Sequence, residues 1–92
     1  MDSAYHDSRS LSVIVPLYQE RENVEPLLAR VHEGLESYED PWELILIDDG
    51  SRDGTGQALM ELGRRYGAHV RVLCFRRNFG QTAAMQAGFD AA

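Results

Sequence analysis

An apolar strand-like run followed by a helix-like segment occurs three times in this chain, and this alternation limits the fold more than any other feature. The apolar runs are residues 11–16, 42–47 and 70–75, and turn-forming or polar residues follow each of them. Helical patterns follow at 24–35, 54–66 and from 80 or 81 onwards. Because the connections are short, the strands should be parallel, with helices covering both faces of the sheet. We predict an α/β fold, a Rossmann-like three-layer sandwich over residues 11–92, preceded by a flexible polar N-terminal tail at 1–10.

The apolar spacing within the helical segments predicts which residues face the sheet. In the first helix the inward residues recur at i, i+3, i+4, i+7 and i+11, and Asn23 stands where an N-cap is expected. In the second helix, Gly67 stands at the position that commonly ends a helix. The predicted inward residues are Val24, Leu27, Leu28, Val31, Leu35, Leu59, Leu62 and Tyr66.

Composition excludes several classes of protein. A formal charge of -6 argues against a nucleic-acid partner, since binding to the phosphate backbone needs a basic surface. No apolar stretch approaches the roughly 20 residues that span a bilayer, and residues 1–10 lack the apolar core of a signal peptide, which together predict a cytoplasmic chain. The single cysteine, Cys74, excludes an intramolecular disulfide and is expected to be an inert core thiol. The three histidines are scattered without metal-ligand spacing, and each is expected at the surface.

Polar residues follow each predicted strand, at the edge of a parallel sheet where ligands bind. In the first exit segment (16–23), the flat surfaces of Pro16 and Tyr18 could pack against a base, and Glu20 could accept hydrogen bonds from ribose hydroxyls or base N–H groups. The alternative is an ordinary loop in which the proline ends a strand and Asn23 caps a helix. The segment therefore favours no function when it is taken alone.

The other two exit segments carry charge and glycine. In the second exit segment (48–54), Asp48 and Asp49 could bind a base imide or a cation, or cap the next turn; the alternative is an Asp-Gly turn with Asp53 capping the second helix. The third exit segment (76–80) places two arginines before Gly80 and a helix N-terminus, an arrangement that suits an anion but also fits solvated side chains. Gly80 and Gly88 could each permit close backbone approach.

Taken together, three stretches resemble the family 2 glycosyltransferases, which have the GT-A fold. They run from Leu11 to Glu20, from Glu43 to Thr55, and from Arg77 through the Asn-Phe-Gly-Gln-Thr sequence to Gly88. The third stretch is most similar to enzymes that transfer sugars to polyprenyl phosphates, such as dolichyl-phosphate and undecaprenyl-phosphate hexosyltransferases. The resemblance covers nearly all of residues 11–92.

The resemblance implies a role for each matching position. Pro16, Tyr18 and Glu20 would contact the nucleoside of a UDP- or GDP-sugar, Asp48 would hydrogen-bond the base, Asp49 would shape the turn, and Gly80 would border the nucleotide. An inverting displacement would pass a hexose to an acceptor, with polyprenyl phosphate as the expected one. A divalent cation, Mg²⁺ or Mn²⁺, would neutralise the leaving diphosphate.

The family's metal motif and catalytic residues are expected beyond Ala92, so no metal ligand or catalytic residue is predicted within this chain. We therefore expect a fragment, inactive alone, of a membrane-associated parent whose catalytic domain faces the cytoplasm. Self-association through an exposed edge of the first strand is a further expectation. A non-catalytic nucleotide-binding module, or an α/β domain used only for association, remains the alternative.

Overall fold

A computed structural model describes residues 11–92, so the predicted tail at 1–10 lies outside the described residues. Strands and helices alternate as the sequence predicts, with bounds that differ by at most one residue, and a 3₁₀ turn at Arg21–Asn23 precedes the first helix. The elements are β1 (Leu11–Leu17), α1 (Val24–Gly34), β2 (Trp42–Asp48), α2 (Thr55–Tyr66), β3 (Val70–Cys74) and α3 (Gln81–Ala91). The predicted α/β class is confirmed.

The three strands form one parallel sheet in the order β1-β2-β3, with β2 in the middle. In this register Leu17 pairs with Asp48, and Asp48 pairs with Cys74, so the three strands end side by side. The exit segments therefore meet at one edge of the sheet. Among residues 11–92, β1 pairs with a strand on one side only, and self-association through its other edge stays a prediction.

Alternating side chains divide the sheet between two apolar cores, as period-2 strands require. One core lies between the sheet and the α1–α2 pair, and the other lies beneath α3. The buried residues of the first core are Leu17, Val24, Leu28, Leu44, Leu46 and Leu59. The second core contains Ile45, Ile47 and Ala84. Helices thus cover both faces, which confirms the three-layer sandwich.

Helix α3 approaches the sheet closely because it presents Gly88 to it. A Cβ atom at this position would lie 2.3 Å from Cγ2 of Ile14 and 2.9 Å from Cδ1 of Ile47. The predicted close approach is therefore present at Gly88. At Gly80 no atom lies within 4 Å of such a Cβ, and the glycine instead provides a φ of +104°.

A buried carboxylate in β2 connects the sheet to the end of α3. Glu43 is only 6% exposed, and it accepts a hydrogen bond from the Ser12 hydroxyl. Nη1 of Arg71 lies 3.1 Å from Oε1 of Glu43 and also donates to the carbonyl oxygen of Ala91 at 2.8 Å. Because a buried charge is costly unless it is paired, these partners explain how a glutamate is tolerated in an otherwise apolar strand.

The prediction of surface histidines is met only in part by His32 and His69, which are both half-buried. Their Nε2 atoms lie 2.7 Å apart, and Nδ1 of His32 lies 2.8 Å from the carbonyl oxygen of Leu28. Tyr66 stacks on the His32 ring at 3.9 Å between centroids, and Trp42 meets both imidazoles edge to face. This aromatic cluster joins α1, β2 and the α2–β3 connection, which sequence spacing alone does not reveal. His6 lies outside the described residues.

No helix within residues 11–92 has the length and apolar character needed to cross a membrane.

Candidate functional site

A cavity of about 400 Å³ opens at the carboxyl edge of the sheet, on the α3 side of β2. Its volume lies within the range of small-molecule sites. The residues that line it come from all three exit segments and the first turn of α3: Pro16, Leu17, Tyr18, Glu20, Asp49, Asn78, Gly80 and Gln81. Five of the six predicted site residues are thus brought together, and Asp48 is not among the lining residues.

The first exit segment contributes an aromatic ring and a carboxylate to this cavity. Tyr18 is 48% exposed, so a ligand can contact its ring without any rearrangement of the core. The carboxylate of Glu20 is oriented by Asn23, whose Nδ2 donates to Oε1 at 2.7 Å. Asn23 occupies the predicted N-cap position of α1, but its side chain makes no capping hydrogen bond, because it bonds Glu20 instead.

Adjacent positions on a strand point to opposite faces, and this separates the two aspartates. Asp48 lies on the α2 side, where Oδ1 accepts the N–H of Ser51 at 3.1 Å. Its Oδ2 lies against Gly56 in the first turn of α2, only 2.6 Å from where a Cβ would stand. Asp48 therefore packs beneath α2, away from the cavity that Asp49 lines.

Asp49 is 3% exposed and accepts three hydrogen bonds from the third exit segment. Oδ1 accepts the N–H of Phe79 at 2.8 Å. Oδ2 accepts the N–H of Gly80 at 3.0 Å and Nδ2 of Asn78 at 2.9 Å. The predicted turn-shaping position is thus occupied by a carboxylate that orders a second loop.

The third exit segment packs directly on the second through Gly50. A Cβ at Gly50 would lie 2.1 Å from the carbonyl carbon of Arg77, and the residue has a φ of +78°. Both observations require glycine at this position. The guanidinium of Arg77 lies 4.7 Å from the centroid of the Phe79 ring, and neither Arg76 nor Arg77 lines the cavity. The predicted anion site therefore retains Gly80 and the start of α3, without direct arginine contact.

The expected core position of Cys74 is wrong, since this residue is exposed at the end of β3. Its thiol nevertheless lies near the first turn of α2, 3.3 Å from a Cβ placed on Gly56. Partial burial of the sulfur, followed by the charge of Asp48, raises the pKa of Cys74 above its ordinary 9.0. The thiol is therefore held in its protonated, less nucleophilic form.

Sequence reasoning did not identify Asn78 and Gln81 as lining residues. Asn78 lies between two arginines and a phenylalanine in a short polar run, and Gln81 begins a helix, so neither carries a periodic signal. Their shared position after the third strand was the available indication, because the carboxyl ends of parallel strands meet at one edge.

The described residues do not fit a divalent metal ion. Within 11–92, no three His, Cys, Asp or Glu side chains converge as a metal centre would need. The buried carboxylates at this edge already accept N–H donors, which favours hydrogen bonding over ion coordination at Asp48 and Asp49. We assign no metal ligand to these residues.

The chain resembles a solved mannosyltransferase from Pyrobaculum calidifontis, PcManGT, whose structure contains GDP-Man and Mn²⁺. The TM-score is 0.76 at 22% sequence identity, and the match covers 91% of this chain and 24% of the other. At this level of identity the likeness concerns the fold, and it confirms the expected GT-A type of sheet.

Two curated relatives are also similar over most of this chain. The dodecaprenyl-phosphate galacturonate synthase of Rhizobium johnstonii is 48% identical over 85 residues, which is 92% of this chain and 25% of that protein. The undecaprenyl-phosphate 4-deoxy-4-formamido-L-arabinose transferase of Salmonella choleraesuis is 36% identical over 82 residues, or 89% and 25%. Both names are those of polyprenyl-phosphate sugar transferases, which confirms the resemblance to that subgroup. The chain spans about a quarter of the length of these relatives.

A sequence model described as glycosyl transferase family 2 matches residues 12–92, which include all three exit segments. The match covers all the strands and helices of the fold apart from Leu11, the first residue of β1. Together with the fold and the convergence of the three exit segments, it shows that this chain belongs to glycosyl transferase family 2.

Proposed function

We propose that the cavity binds the nucleoside part of a nucleotide-sugar donor, in a protein that transfers the sugar to a polyprenyl phosphate. The observation that carries this proposal is the convergence of an aromatic ring, two carboxylates and a helix N-terminus on one cavity, contributed by Tyr18, Glu20, Asp49 and Gly80. A nucleotide has a flat base, ribose hydroxyls and an anionic phosphate, and each finds a matching group here. The names of the two relatives support the acceptor class.

The base and ribose contacts follow from the exposed groups of the first exit segment. Tyr18 offers a ring face on which a base can stack, and Pro16 adds an apolar wall beside it. Glu20 keeps acceptor capacity beyond its bond to Asn23, since a carboxylate offers about four acceptor positions. That capacity suits the two hydroxyls of a ribose.

Asp49 is better placed than Asp48 to meet the base. Oδ2 of Asp49 accepts two hydrogen bonds from the described residues, whereas Oδ1 accepts one, from the N–H of Phe79. Oδ1 therefore keeps a lone pair that can accept a base N–H. Asp48 lies beneath α2 and outside the cavity lining. The predicted base contact of Asp48 stays a prediction, and we propose Asp49 for this role.

The phosphates would leave the cavity towards the start of α3. Gly80 precedes the first residue of this helix and has no side chain, so the N–H groups of the first turn receive no side-chain cap from it, and a helix N-terminus favours an anion. The sugar would lie beyond this point, where the acceptor approaches.

The proposed reaction is a single inverting displacement in the complete protein. An oxygen of the acceptor phosphate forms a bond to the anomeric carbon while the bond from that carbon to the nucleoside diphosphate breaks. The electron pair leaves with the diphosphate, whose charge a divalent cation would neutralise in the complete enzyme. The described residues would hold the donor, and we propose that this chain alone binds it without transferring the sugar. The acceptor also leads us to propose that the complete protein is membrane-associated, with this part in the cytoplasm.

Calorimetric titration of the chain with UDP and GDP tests the proposal. We expect saturable binding of at least one of them, weakened by roughly 5- to 100-fold in Tyr18→Ala, since base stacking contributes about 1–3 kcal/mol. Tyr38→Ala is the matched control, because Tyr38 is a similarly exposed tyrosine that does not line the cavity. Absence of binding by the unmodified chain, or equal losses in both variants, would contradict the proposed site.

A further inference from the structure

The first exit segment is attached to the second by hydrogen bonds that lie outside the cavity. Three consecutive backbone N–H groups donate to three side chains at or just after the second exit segment. The donors and acceptors are Gln19 N–H to Ser51 Oγ at 2.7 Å, Glu20 N–H to Thr55 Oγ1 at 3.0 Å, and Arg21 N–H to Asp53 Oδ2 at 3.3 Å. In return, Oε1 of Gln19 accepts the N–H of Arg52 at 2.6 Å. We call these four hydrogen bonds the loop latch.

The backbone of Gln19 adopts a conformation that makes this arrangement possible. Its φ of +57° lies in the left-handed region, which residues other than glycine rarely occupy. In an extended chain, successive N–H groups point to opposite sides, so three in a row cannot meet one neighbouring loop. The left-handed residue interrupts this alternation. An unfavourable backbone conformation persists where the surrounding contacts determine it, and here those contacts are the latch.

Thr55 is the central member of the latch and is fully buried at the start of α2. Its hydroxyl donates to Oδ1 of Asp53, which directs the oxygen lone pairs of Thr55 towards the N–H of Glu20. Asp53 accepts from Arg21 through its other oxygen. The hydroxyl and the carboxylate therefore act as one unit that fixes two consecutive amides.

The latch determines where two cavity-lining side chains stand. Tyr18 and Glu20 flank Gln19 directly, and both line the cavity, whereas Thr55 and Asp53 do not. We propose that Thr55, oriented by Asp53, is a positioning residue that holds the first exit segment in its ligand-receiving conformation. This inference rests on the proposed function for its consequence in nucleotide binding, but the conformation itself can be measured without any ligand.

The test compares Thr55→Val with Thr55→Ser by amide hydrogen exchange and by calorimetry with UDP and GDP. Valine preserves the volume of threonine and removes the hydroxyl, whereas serine keeps the hydroxyl. We expect the Glu20 amide to exchange about 5- to 13-fold faster in Thr55→Val and near the unmodified rate in Thr55→Ser, since a lost hydrogen bond of about 1–1.5 kcal/mol corresponds to this factor. Nucleotide affinity should fall in Thr55→Val and recover in Thr55→Ser.

A control separates positioning from a general loss of stability. Val72→Ala removes apolar volume from the half-buried face of β3, far along the chain from the latch, and should lower the melting temperature without selectively exposing the Glu20 amide. If Thr55→Val does not fold, Ser51→Ala tests the same latch through the Gln19 amide, because Ser51 is only partly buried.

The outcomes are distinguishable from those of the proposed function. Unchanged protection of the Glu20 amide from exchange in Thr55→Val would overturn the latch, whether or not nucleotide affinity changes. Faster exchange with unaltered nucleotide affinity would overturn the positioning role. If the unmodified chain binds neither UDP nor GDP while exchange accelerates in Thr55→Val alone, the proposed nucleotide site fails and the conformational role of Thr55 is supported.

Discussion

The N–H of Gly80 donates a 3.0 Å hydrogen bond to Oδ2 of Asp49, although the two residues lie 31 positions apart in the chain. The end of β2 and the start of α3 are thereby joined into one wall of the cavity. Because the carboxyl group is buried and accepts two further donors, this wall depends on a single side chain.

The first prediction concerns the two adjacent aspartates. Asp49→Asn places an amide NH₂ opposite donors that need an acceptor, and we expect the free energy of unfolding to fall by about 1–3 kcal/mol. Asp48→Asn retains an oxygen for the single N–H of Ser51, so its loss should be smaller. Urea unfolding of both variants measures the difference, and a larger loss in Asp48→Asn would contradict the hydrogen-bond assignment.

Nucleotide affinity should separate the same two variants in the same order. We expect Asp49→Asn to weaken UDP or GDP binding by roughly tenfold or more, since it loses a charged acceptor worth about 1.5–3 kcal/mol. Asp48→Asn should leave binding close to that of the unmodified chain. The reverse order, measured by calorimetry on variants shown to be folded, would favour Asp48 as the base contact.

The second prediction uses two helical glycines with opposite surroundings. Gly88→Ala places a methyl group 2.3 Å from Ile14, and overpacking of this kind should cost about 1–3 kcal/mol of stability. Gly34→Ala is the matched control at the end of α1, where nothing lies within 4 Å of the added carbon. It should be neutral or stabilising by up to about 1 kcal/mol. Thermal melting of the two variants gives the comparison, and equal effects would mean that α3 does not pack on the sheet as described.

The third prediction is the reactivity of the thiol. Partial burial and the charge of Asp48 raise the pKa of Cys74 above 9.0, so alkylation by iodoacetamide should be slow at neutral pH and should increase with a midpoint above 9.0. Asp48→Asn removes the second cause and should move that midpoint downward. A midpoint at or below 9.0 in the unmodified chain would show that the thiol faces solvent freely.

The fourth prediction is the behaviour of Asp53 in acid. Its pKa is lowered from 3.8, chiefly by the hydroxyl of Thr55; desolvation acts in the opposite direction, and the N–H groups of Arg21 and Thr55 lower the pKa further. Because the folded pKa is depressed, the stabilisation is present above the unfolded value and is lost as pH falls through the folded one. The hydrogen bond from the Arg21 amide to Asp53 should therefore be lost with a midpoint below pH 3.8.

NMR measures this transition through the Arg21 amide and the Asp53 side chain of the chain, and the Asp53 side chain in a peptide of residues 50–56 is the unfolded reference. We expect the midpoint in the chain to lie below that of the peptide. Thr55→Val removes the largest cause of the shift and should bring the two midpoints closer together. Identical midpoints in the unmodified chain and the peptide would mean that Asp53 does not take part in the latch.

The sequence was sufficient to predict the strands, the helices and the edge at which the site lies. Apolar periodicity and short connections determine those features, and Leu59 and Leu28 are buried as their spacing requires. The contacts within the loops could not be predicted, because the partners of Gln19 and Asp49 depend on the backbone path rather than on periodicity. The different faces of Asp48 and Asp49 follow, by contrast, from strand alternation, which places adjacent residues on opposite sides of a sheet.

That alternation in β2 also determines how the chain can tolerate insertions and deletions. Removing one residue between Trp42 and Ile47 would exchange the two sides of the strand beyond that point. Each following apolar side chain would meet the opposite core, and the position of Asp49 would turn beneath α2. Two removals would restore the sides but shorten the strand by about 7 Å, drawing the second exit segment away from its neighbours. Length variation compatible with this site should therefore be confined to connections at the opposite edge of the sheet, such as the segment between α1 and β2.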